Sequence, residues 1–300
     1  MGARVLARLW SVWPRRGGRD RTVLVATSGD TGGAVAAAID GVPGVRGLVL
    51  FPADRVSAVQ RRLFTTRRPQ VRAVAVRGTF DDCQRIVRAH LDDARLVEAH
   101  GLVSANSINP GRLLPQTLYH AWAALHVPDA TLVVPSGNLG NVTAAVMARA
   151  MGARIGAIHA AVNENDALVR AAVGADLATG RAVATDSNAM DVARPSNLDR
   201  LTWLAARLDT TLRDLVHPVS ISTEEARAAQ RHAMEAFGVV VDPHTAVGIA
   251  AATRLDVPDA ADVVVVETAH PAKFPDRVRA VLDREPPPHE GVARAGAEEV

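Results

Sequence analysis

Short runs of apolar residues alternate along this chain with stretches in which apolar positions recur every three or four residues. The short runs consist almost entirely of Val, Leu, Ile and Ala, which is typical of parallel strands buried on both faces. The longer stretches show the helical repeat; Leu139, Val142 and Val146, for example, fall on one stripe. This alternation predicts an α/β fold built on parallel sheets.

The apolar runs predict six strands and the repeating stretches predict eight helices. The strands are Val23–Ala26, Gly47–Phe51, Val71–Val76, Leu132–Val134, Ile155–Ala160 and Val263–Glu267. The helices are Thr31–Ile39, Ala58–Phe64, Phe80–Leu91, Arg112–Leu125, Leu139–Met151, Thr223–Phe237, His244–Arg254 and Pro275–Asp283. A further helical pattern with Leu6, Leu9 and Trp10 begins at once, without a capping residue or a preceding strand. We therefore expect the chain to begin inside a larger fold.

Four segments are predicted along the chain. Residues 1–20 form a remnant N-terminal helix, residues 21–103 a smaller α/β domain and residues 104–285 a larger α/β domain. Residues 286–300 begin with three prolines and are typical of a disordered, unpacked tail.

Composition and charge exclude several classes of protein. Hydrophobic residues make up 48% of the chain and charged residues 22%, as in ordinary globular proteins. The net charge is +2, with 33 of the 34 basic residues being arginine, and no clustered basic face indicates nucleic-acid binding. No apolar run approaches the ~18 residues that cross a bilayer, so we expect no membrane partner. Cys83 is the only cysteine; this favours a reducing, cytoplasmic location, and its spacing from Phe80 and Ile86 predicts a core thiol.

Three turns carry candidate binding chemistry. The first is Ala26–Gly33, where hydroxyls and glycines follow a strand and open a helix, a setting that attracts phosphate or carboxylate. The second is Pro135–Asn141, whose two glycines permit a tight loop around an anion. The third is Ser104–Arg112, which concentrates amide, hydroxyl and guanidinium donors before a helix. An ordinary capped helix start, a plain glycine turn and a solvent-exposed arginine are the respective alternatives.

Other chemistries find little support in the sequence. The histidines show no metal-binding pairing and one cysteine cannot build a thiolate site, so no metal is predicted. No nucleophile elbow of the hydrolase type is present. Three anion-binding turns in one α/β chain therefore indicate a phosphorylated ligand.

The same turns resemble the threonine synthase family. The matching runs are ATSGDTG at 26–32, SANSIN at 104–109 with Arg112, PSGNLGN at 135–141, SNAMDV at 187–192 and TAHPAKF at 268–274. Their order and spacing are those of the family, and the likeness extends from about Gly2 to Asp283. It implies the tryptophan-synthase-β-like fold of fold-type-II pyridoxal-phosphate enzymes, with two open parallel-sheet domains and a missing N-terminal segment. It also implies conversion of O-phosphohomoserine and water to L-threonine and phosphate.

The resemblance assigns roles to individual residues. Backbone amides of the second turn would cradle the phosphate of pyridoxal 5′-phosphate, Asp30 would lie beside its 3′-oxygen, and Thr268 would be a neutral partner of its pyridine nitrogen. The implied cofactor-binding residues are Asp30, Gly137, Asn138, Leu139, Gly140, Asn141 and Thr268. The implied substrate-binding residues are Thr27, Ser28, Thr31, Asn106, Ser107 and Arg112; the last three match the group that binds the phosphate of O-phosphohomoserine.

One departure from the family pattern affects the catalytic prediction. The family binds its cofactor covalently through a lysine in a run that would fall just before Met1, and the only lysine here, Lys273, belongs to another motif. We therefore predict no catalytic residue within these 300 residues and no covalent attachment at the usual position. Two alternatives stay open: a phospho-ligand-binding remnant without catalysis, and another fold-type-II lyase or dehydratase. No oligomeric state is predicted.

Overall fold

In the computed structural model, residues 2–12, 20–66, 68–175, 177, 182–256 and 261–297 are described. The chain divides into two compact units, residues 1–115 with 288–300 and residues 116–287. Each unit contains its own four-stranded parallel sheet. The predicted α/β architecture with two parallel sheets is confirmed.

Eight strands and fourteen α-helices are found in the described residues. The strands are β1 (Arg21–Ala26), β2 (Val45–Pro52), β3 (Val71–Val76), β4 (Leu102–Ser104), β5 (Thr131–Pro135), β6 (Ile158–Val162), β7 (His217–Ser220) and β8 (Val263–Val265). Their order is β3-β2-β1-β4 in the first sheet and β7-β6-β5-β8 in the second. The helices are α1 (Gly2–Val12), α2 (Asp30–Ile39), α3 (Ala58–Thr65), α4 (Phe80–Asp92), α5 (Ala94–His100), α6 (Pro110–His126), α7 (Gly140–Ala150), α8 (Ala167–Ala172), α9 (Leu198–Arg207), α10 (Leu212–Leu215), α11 (Thr223–Phe237), α12 (Pro243–Ala252), α13 (Pro275–Leu282) and α14 (Glu290–Ala297).

Both faces of the central strands are covered in each sheet, which explains why these strands are apolar at successive positions. In β1, Val23 and Val25 lie in one buried cluster, whereas Leu24 and Ala26 lie in the cluster on the opposite face. In β5, Leu132 and Val134 likewise face one cluster and Val133 the other. Because side chains pack on both faces of the central strands, the turns that follow their carboxyl ends begin at fixed positions.

The boundary between the two units differs from the predicted one. Residues 104–115 belong to the first unit, because β4 pairs with β1 and the residues after β4 stay bonded to the end of β1. The start of α6 also packs on α1: a Cβ added at Gly111 would lie 2.9 Å from Leu6 Cδ1. The first helix is found as expected, with Leu6 and Trp10 buried; positions 13–19 of the predicted N-terminal segment lie outside the described residues.

The prediction of an unpacked tail after residue 285 is wrong. Residues 290–297 form α14, in which Ala295 is 5% exposed. The Thr66 hydroxyl donates to the Arg62 carbonyl at 2.5 Å, its oxygen lies 3.4 Å from the Ala295 carbonyl oxygen, and α14 packs beside α3 in the first unit. Residues 298–300 of the predicted tail lie outside the described part of the chain. Cys83 is fully buried, as predicted, and burial raises the pKa of its thiol to about 11.

Candidate functional site

The turn after β1 is shaped from within by Thr27. This side chain is fully buried, and its hydroxyl oxygen accepts from the N–H groups of Gly29 and Gly32 at 2.9 and 2.8 Å. Gly29 has φ of 144°, and a Cβ there would collide with the buried amide of Gln60, so only glycine suits this position. Thr27 therefore holds the turn together, and its predicted contact with substrate stays a prediction.

The other predicted residues of this turn are less buried than Thr27. Ser28, Asp30 and Thr31 are all partly exposed at the start of α2. One Asp30 carboxylate oxygen accepts from Gln60 Nε2 at 3.3 Å, which connects α2 to α3. Ser28 and Thr31 thus present hydroxyl groups beside a helix N-terminus, where the helix dipole favours an anion.

The third predicted turn is tied to the first by Asn106. Its carboxamide is buried, with Oδ1 accepting from the Ala26 N–H at 3.0 Å and Nδ2 donating to the Ala26 carbonyl at 2.7 Å. These bonds satisfy backbone groups at the end of β1. Both ends of the Asn106 amide thus join the two turns, and its predicted contact with substrate stays a prediction.

Arg112 and Ser107 complete the candidate residues of the first unit. Arg112 is half-buried at the start of α6 and donates through Nη1 to the Ala105 carbonyl at 2.7 Å. The backbone of Gly2 lies close to it, since a Cβ there would be 2.7 Å from the Arg112 carbonyl oxygen. Ser107 is partly exposed in the same turn. The fold therefore brings the turns at 27–31 and 106–112 together at one edge of the first sheet.

In the second unit, the turn after β5 forms a cradle of backbone N–H groups, made by residues 137–141. Leu139 is buried with φ of 60°, a left-handed conformation that turns the chain sharply into α7. Its carbonyl accepts from the Thr143 hydroxyl at 2.6 Å, which fixes the turn to the helix. Within the described chain, the N–H groups of Gly137, Leu139, Gly140 and Asn141 donate no hydrogen bond. Free donors at a helix N-terminus are what a phosphate group requires.

The two asparagine side chains of the cradle are used to hold it in place. Asn138 Oδ1 accepts from the N–H and hydroxyl of Ser196 at 2.6 and 2.9 Å, and its carbonyl accepts from Asn197 Nδ2 at 2.8 Å. Asn141 Oδ1 accepts from the Tyr119 hydroxyl at 2.7 Å and lies 2.9 Å from His120 Nε2. The side chains of Asn138 and Asn141 therefore bond to the protein, and the backbone N–H groups are the part of the cradle that could meet a ligand.

His120 is held in its neutral form. Burial lowers the pKa of His120 to about 4, against the opposing effect of its hydrogen bonds to Asn141. The short distance to Asn141 Oδ1, an acceptor, assigns the ring proton to Nε2, whereas the buried Nδ1 has no partner in the described chain. A neutral donor therefore supports the cradle.

A short 3₁₀ turn, Asn188–Met190, lies behind Gly137. A Cβ added at Gly137 would be 2.5 Å from Met190 Cα and 2.9 Å from the Ala189 carbonyl oxygen. The next residue, Asp191, accepts from Asn163 Nδ2 at 2.9 Å and from the Thr185 hydroxyl at 2.7 Å. Burial raises the pKa of Asp191 to about 6, although these hydrogen bonds oppose the shift. This network anchors the turn against which the cradle rests.

Thr268 lies in the segment that follows β8. It is exposed, and its N–H donates to the Thr245 hydroxyl oxygen at 3.4 Å. Thr245 in turn belongs to the N-terminus of α12, where Asp242 is the capping residue. The cradle and Thr268 therefore lie in the same unit. The cradle follows the carboxyl end of β5, and Thr268 follows the carboxyl end of the neighbouring strand β8.

Several residues of the site had no predicted role. Tyr119 and His120 are indistinguishable in the sequence from other residues on a face of α6, and their pairing with Asn141 depends on tertiary packing. Asp242 could have been found, since an Asp followed by Pro at the start of a helical pattern is a capping signature. In the residues that the structure describes, no group of three or more metal-ligating side chains is found, and no helix is long and apolar enough to cross a membrane.

Comparison with known proteins places these turns in context. The model of the pyridoxal-phosphate dependent enzyme family matches residues 2–269, and that of the threonine synthase C-terminal region matches residues 245–297. The threonine synthase of Serratia marcescens is 38% identical over 271 residues, which is 89% of this chain. The crystal structure of threonine synthase from Escherichia coli superposes on the whole chain with a TM-score of 0.92 at 34% identity, covering 70% of that structure.

A second solved structure is similar, and the relatives are longer than this chain. A structure of PLP-bound threonine synthase from Brucella melitensis has a TM-score of 0.85 at 32% identity, covering 98% of this chain and 69% of that one. The chain spans 62% of the length of the Serratia protein and 63% of that from Escherichia coli K12.

Proposed function

The chain belongs to the threonine synthase family of pyridoxal-phosphate-dependent enzymes, and from this premise we propose that it carries the cofactor-binding and substrate-binding surfaces of such an enzyme. The reaction we propose is the conversion of O-phosphohomoserine and water to L-threonine and phosphate. The observation that carries the proposal is the cradle at residues 137–141, in which free backbone donors open the N-terminus of α7.

The cradle fits the phosphate of pyridoxal phosphate in charge and in geometry. Its unsatisfied N–H groups have no competing acceptor in the described chain, and the dipole of α7 adds a favourable potential for an anion. Gly137 brings its backbone as close to the Ala189–Met190 turn as a residue without a Cβ allows. The site therefore holds a phosphate without an arginine or lysine from the cradle itself.

Thr268 is proposed to contact the pyridine nitrogen. When bound, pyridoxal phosphate supplies the electron sink that lets bonds at the substrate carbons break. A hydroxyl partner leaves the ring nitrogen unprotonated, whereas a carboxylate would favour protonation. Thr268, which is exposed after β8, would then hold the pyridine ring through its hydroxyl group without adding a negative charge beside the nitrogen.

The first unit is proposed to hold the substrate. Ser28 and Thr31 present hydroxyl groups at the N-terminus of α2, where a carboxylate or phosphate is favoured. Ser107 and Arg112 lie in the adjoining turn, where the Arg112 guanidinium brings a positive charge and a forked set of N–H groups, the chemistry that recognises a phosphate. Thr27 and Asn106 are proposed to act by shaping these turns, because their polar atoms are engaged internally.

A second candidate function is binding of the phosphorylated ligand without catalysis. The chain contains a single lysine, Lys273, and it lies in the 3₁₀ turn Pro271–Lys273 between two buried residues, Ala272 and Phe274. It is not part of a run like the one with which the family attaches its cofactor. The same surfaces would then serve recognition alone.

One experiment separates the two candidates. The purified chain is incubated with pyridoxal phosphate and O-phosphohomoserine, and threonine and released phosphate are quantified together. A parallel sample is reduced with borohydride and digested, and mass spectrometry locates any labelled amine. Threonine formation supports the enzyme; reversible binding without threonine or label supports the binder. Absence of both binding and product would overturn the proposal.

A further inference from the structure

We propose that Asp242 is a positioning residue that aligns the two segments expected to hold opposite ends of the cofactor. The inference rests on the proposed function, because it concerns the cradle and Thr268. Asp242 is fully buried and caps α12, accepting from the N–H groups of His244 and Thr245 at 2.8 and 3.3 Å. A helix cap needs no more than these bonds. The carboxylate also accepts from the side chains of His244 and Thr245, and each of these bonds in turn to the backbone of a segment of the proposed site.

The first connection runs through His244. Its Nδ1 lies 2.7 Å from Asp242 Oδ1, and its Nε2 accepts from the Ala189 N–H at 3.1 Å. Only one tautomer satisfies both contacts, with the proton on Nδ1 and a lone pair on Nε2. Ala189 belongs to the turn on which Gly137 rests. Asp242 thereby fixes, through one imidazole, the backbone that supports the phosphate cradle.

The second connection runs through Thr245. Its hydroxyl donates to Asp242 Oδ2 and accepts the N–H of Thr268 at 3.4 Å. The hydroxyl proton is committed to the carboxylate, so the lone pairs are directed toward the segment after β8. Asp242 thereby fixes the segment that carries the proposed partner of the pyridine nitrogen.

The chemistry of a carboxylate explains why aspartate is required. Asp242 offers acceptors on both oxygens, and one is used for each connection. An asparagine has a single acceptor oxygen. If that oxygen faced His244, the NH₂ group would face the Thr245 donors. If it faced Thr245, the NH₂ group would face His244 Nδ1, the imidazole proton would move to Nε2, and that proton would oppose the Ala189 N–H. Although burial raises the pKa of Asp242, hydrogen bonds from His244 and Thr245 outweigh it and keep the pKa below its usual value, so the residue is ionised.

The two connections are tested separately with reversible ligands. The probes are 4-deoxypyridoxine 5-phosphate, which lacks the aldehyde and cannot react with an amine, and inorganic phosphate, which reports on the cradle alone. We expect Thr245→Val to weaken the first probe by about tenfold and leave phosphate within about twofold. His244→Phe, which keeps a ring beside Phe274, should weaken both probes, and so should Asp242→Asn.

Controls keep the outcome interpretable. Thr245→Ser retains the hydroxyl and is expected to restore the affinity lost in Thr245→Val, which loss of a methyl contact or of general stability would not do. If the unsubstituted chain binds neither probe, the proposed function fails and Asp242 is not at issue. If it binds the pyridine probe while Thr245→Val and His244→Phe keep their affinities within about twofold, the positioning role is overturned even where Asp242→Asn is too unstable to measure.

Discussion

Arg112 lies where the turn after β4 enters α6, and its Nη1 donates to the Ala105 carbonyl at 2.7 Å. If the guanidinium also binds the substrate phosphate, Arg112→Ala should weaken O-phosphohomoserine by about 2–4 kcal/mol, since a charge-assisted contact is lost. Calorimetric titration measures this loss. Homoserine, which lacks the phosphate, should be bound equally by both proteins.

A matched control for this substitution is Arg95→Ala in the same unit. The Arg95 side chain is 94% exposed, and its replacement changes the net charge by the same amount. Unchanged O-phosphohomoserine affinity in Arg112→Ala, or an equal loss in Arg95→Ala, would remove Arg112 from the substrate site.

Gly137 is required for a steric reason, which allows a second test. A single added methyl group would lie 2.5 Å from Met190 Cα, closer than real contacts allow, so the cradle must shift. Gly137→Ala should therefore reduce the affinity for inorganic phosphate by about tenfold or more, measured by competition against a fluorescent pyridoxine phosphate. Gly291→Ala, which adds the same group on the exposed face of α14, should have no effect. Retained affinity in Gly137→Ala would show that the cradle does not contact phosphate closely.

The location of the binding turns could be predicted from sequence, but the use of each side chain could not. Glycines and hydroxyls after an apolar run indicate the turns at 26–33 and 135–141 because these residue types permit tight backbone and cap helices. Asn106 and Asn138 carry the same amide group as any ligand-binding asparagine. Their partners, Ala26 and Ser196, are 80 and 58 residues away in the chain, so only the folded arrangement reveals that the amides are occupied.

At the scale of elements, the length of the apolar run decides which strands the sequence reveals. β8 has only three residues, yet it was predicted because it opens a run of four valines. Strands with five or more residues, such as β3 and β5, were predicted near their observed bounds, since their apolar runs are long enough to recognise. The edge strands β4 and β7 have three and four residues and were missed. β6 begins at Ile158, three residues later than predicted, because Gly156 instead packs against the Asp129 and Ala130 carbonyls.

The helix α14 was missed because its three preceding prolines resemble a tail, and it supplies a third prediction. Ala295 is buried where α14 meets α3, whereas Ala293 on the same helix is exposed. Ala295→Asp should lower the free energy of unfolding by about 1–3 kcal/mol, because it buries a charge without a partner. Ala293→Asp introduces the same charge and should stay within about 0.5 kcal/mol of the parent. Equal effects in urea denaturation would mean that α14 does not pack on α3.

At the scale of the whole molecule, the chain comprises two units with separate sheets and cores, and each carries part of the proposed chemistry. The first unit presents hydroxyl and guanidinium groups, and the second presents the cradle and Thr268. The α/β architecture could be predicted from the apolar periodicity of the sequence. The boundary between the two units could not, because the pairing of β4 with β1 holds residues 104–115 in the first unit.

Stability of the whole chain should depend on pH through His120. The folded pKa of about 4 lies below the value of ~6.5 in an unfolded chain, so the unfolded state takes up the proton first as the pH falls. The stabilising contribution is complete above about pH 6.5 and is lost toward pH 4, amounting to about 2 kcal/mol between pH 7.5 and pH 5. The raised pKa of Asp191 acts in the opposite direction over this range, so urea denaturation of the parent gives the sum of the two effects, and the His120 contribution is the difference between the parent and a variant without that imidazole.

The substitution that isolates this effect is His120→Gln. The glutamine amide can occupy the position of Nε2 and donate to Asn141 Oδ1, but it does not titrate. Between pH 7.5 and pH 5, the loss in free energy of unfolding should therefore be about 2 kcal/mol smaller for His120→Gln than for the parent. His126→Gln removes an exposed imidazole from the same helix and should leave the parental pH dependence in place. A parental slope in His120→Gln would mean that acid destabilisation arises at other groups and that His120 is protonated without cost to the fold.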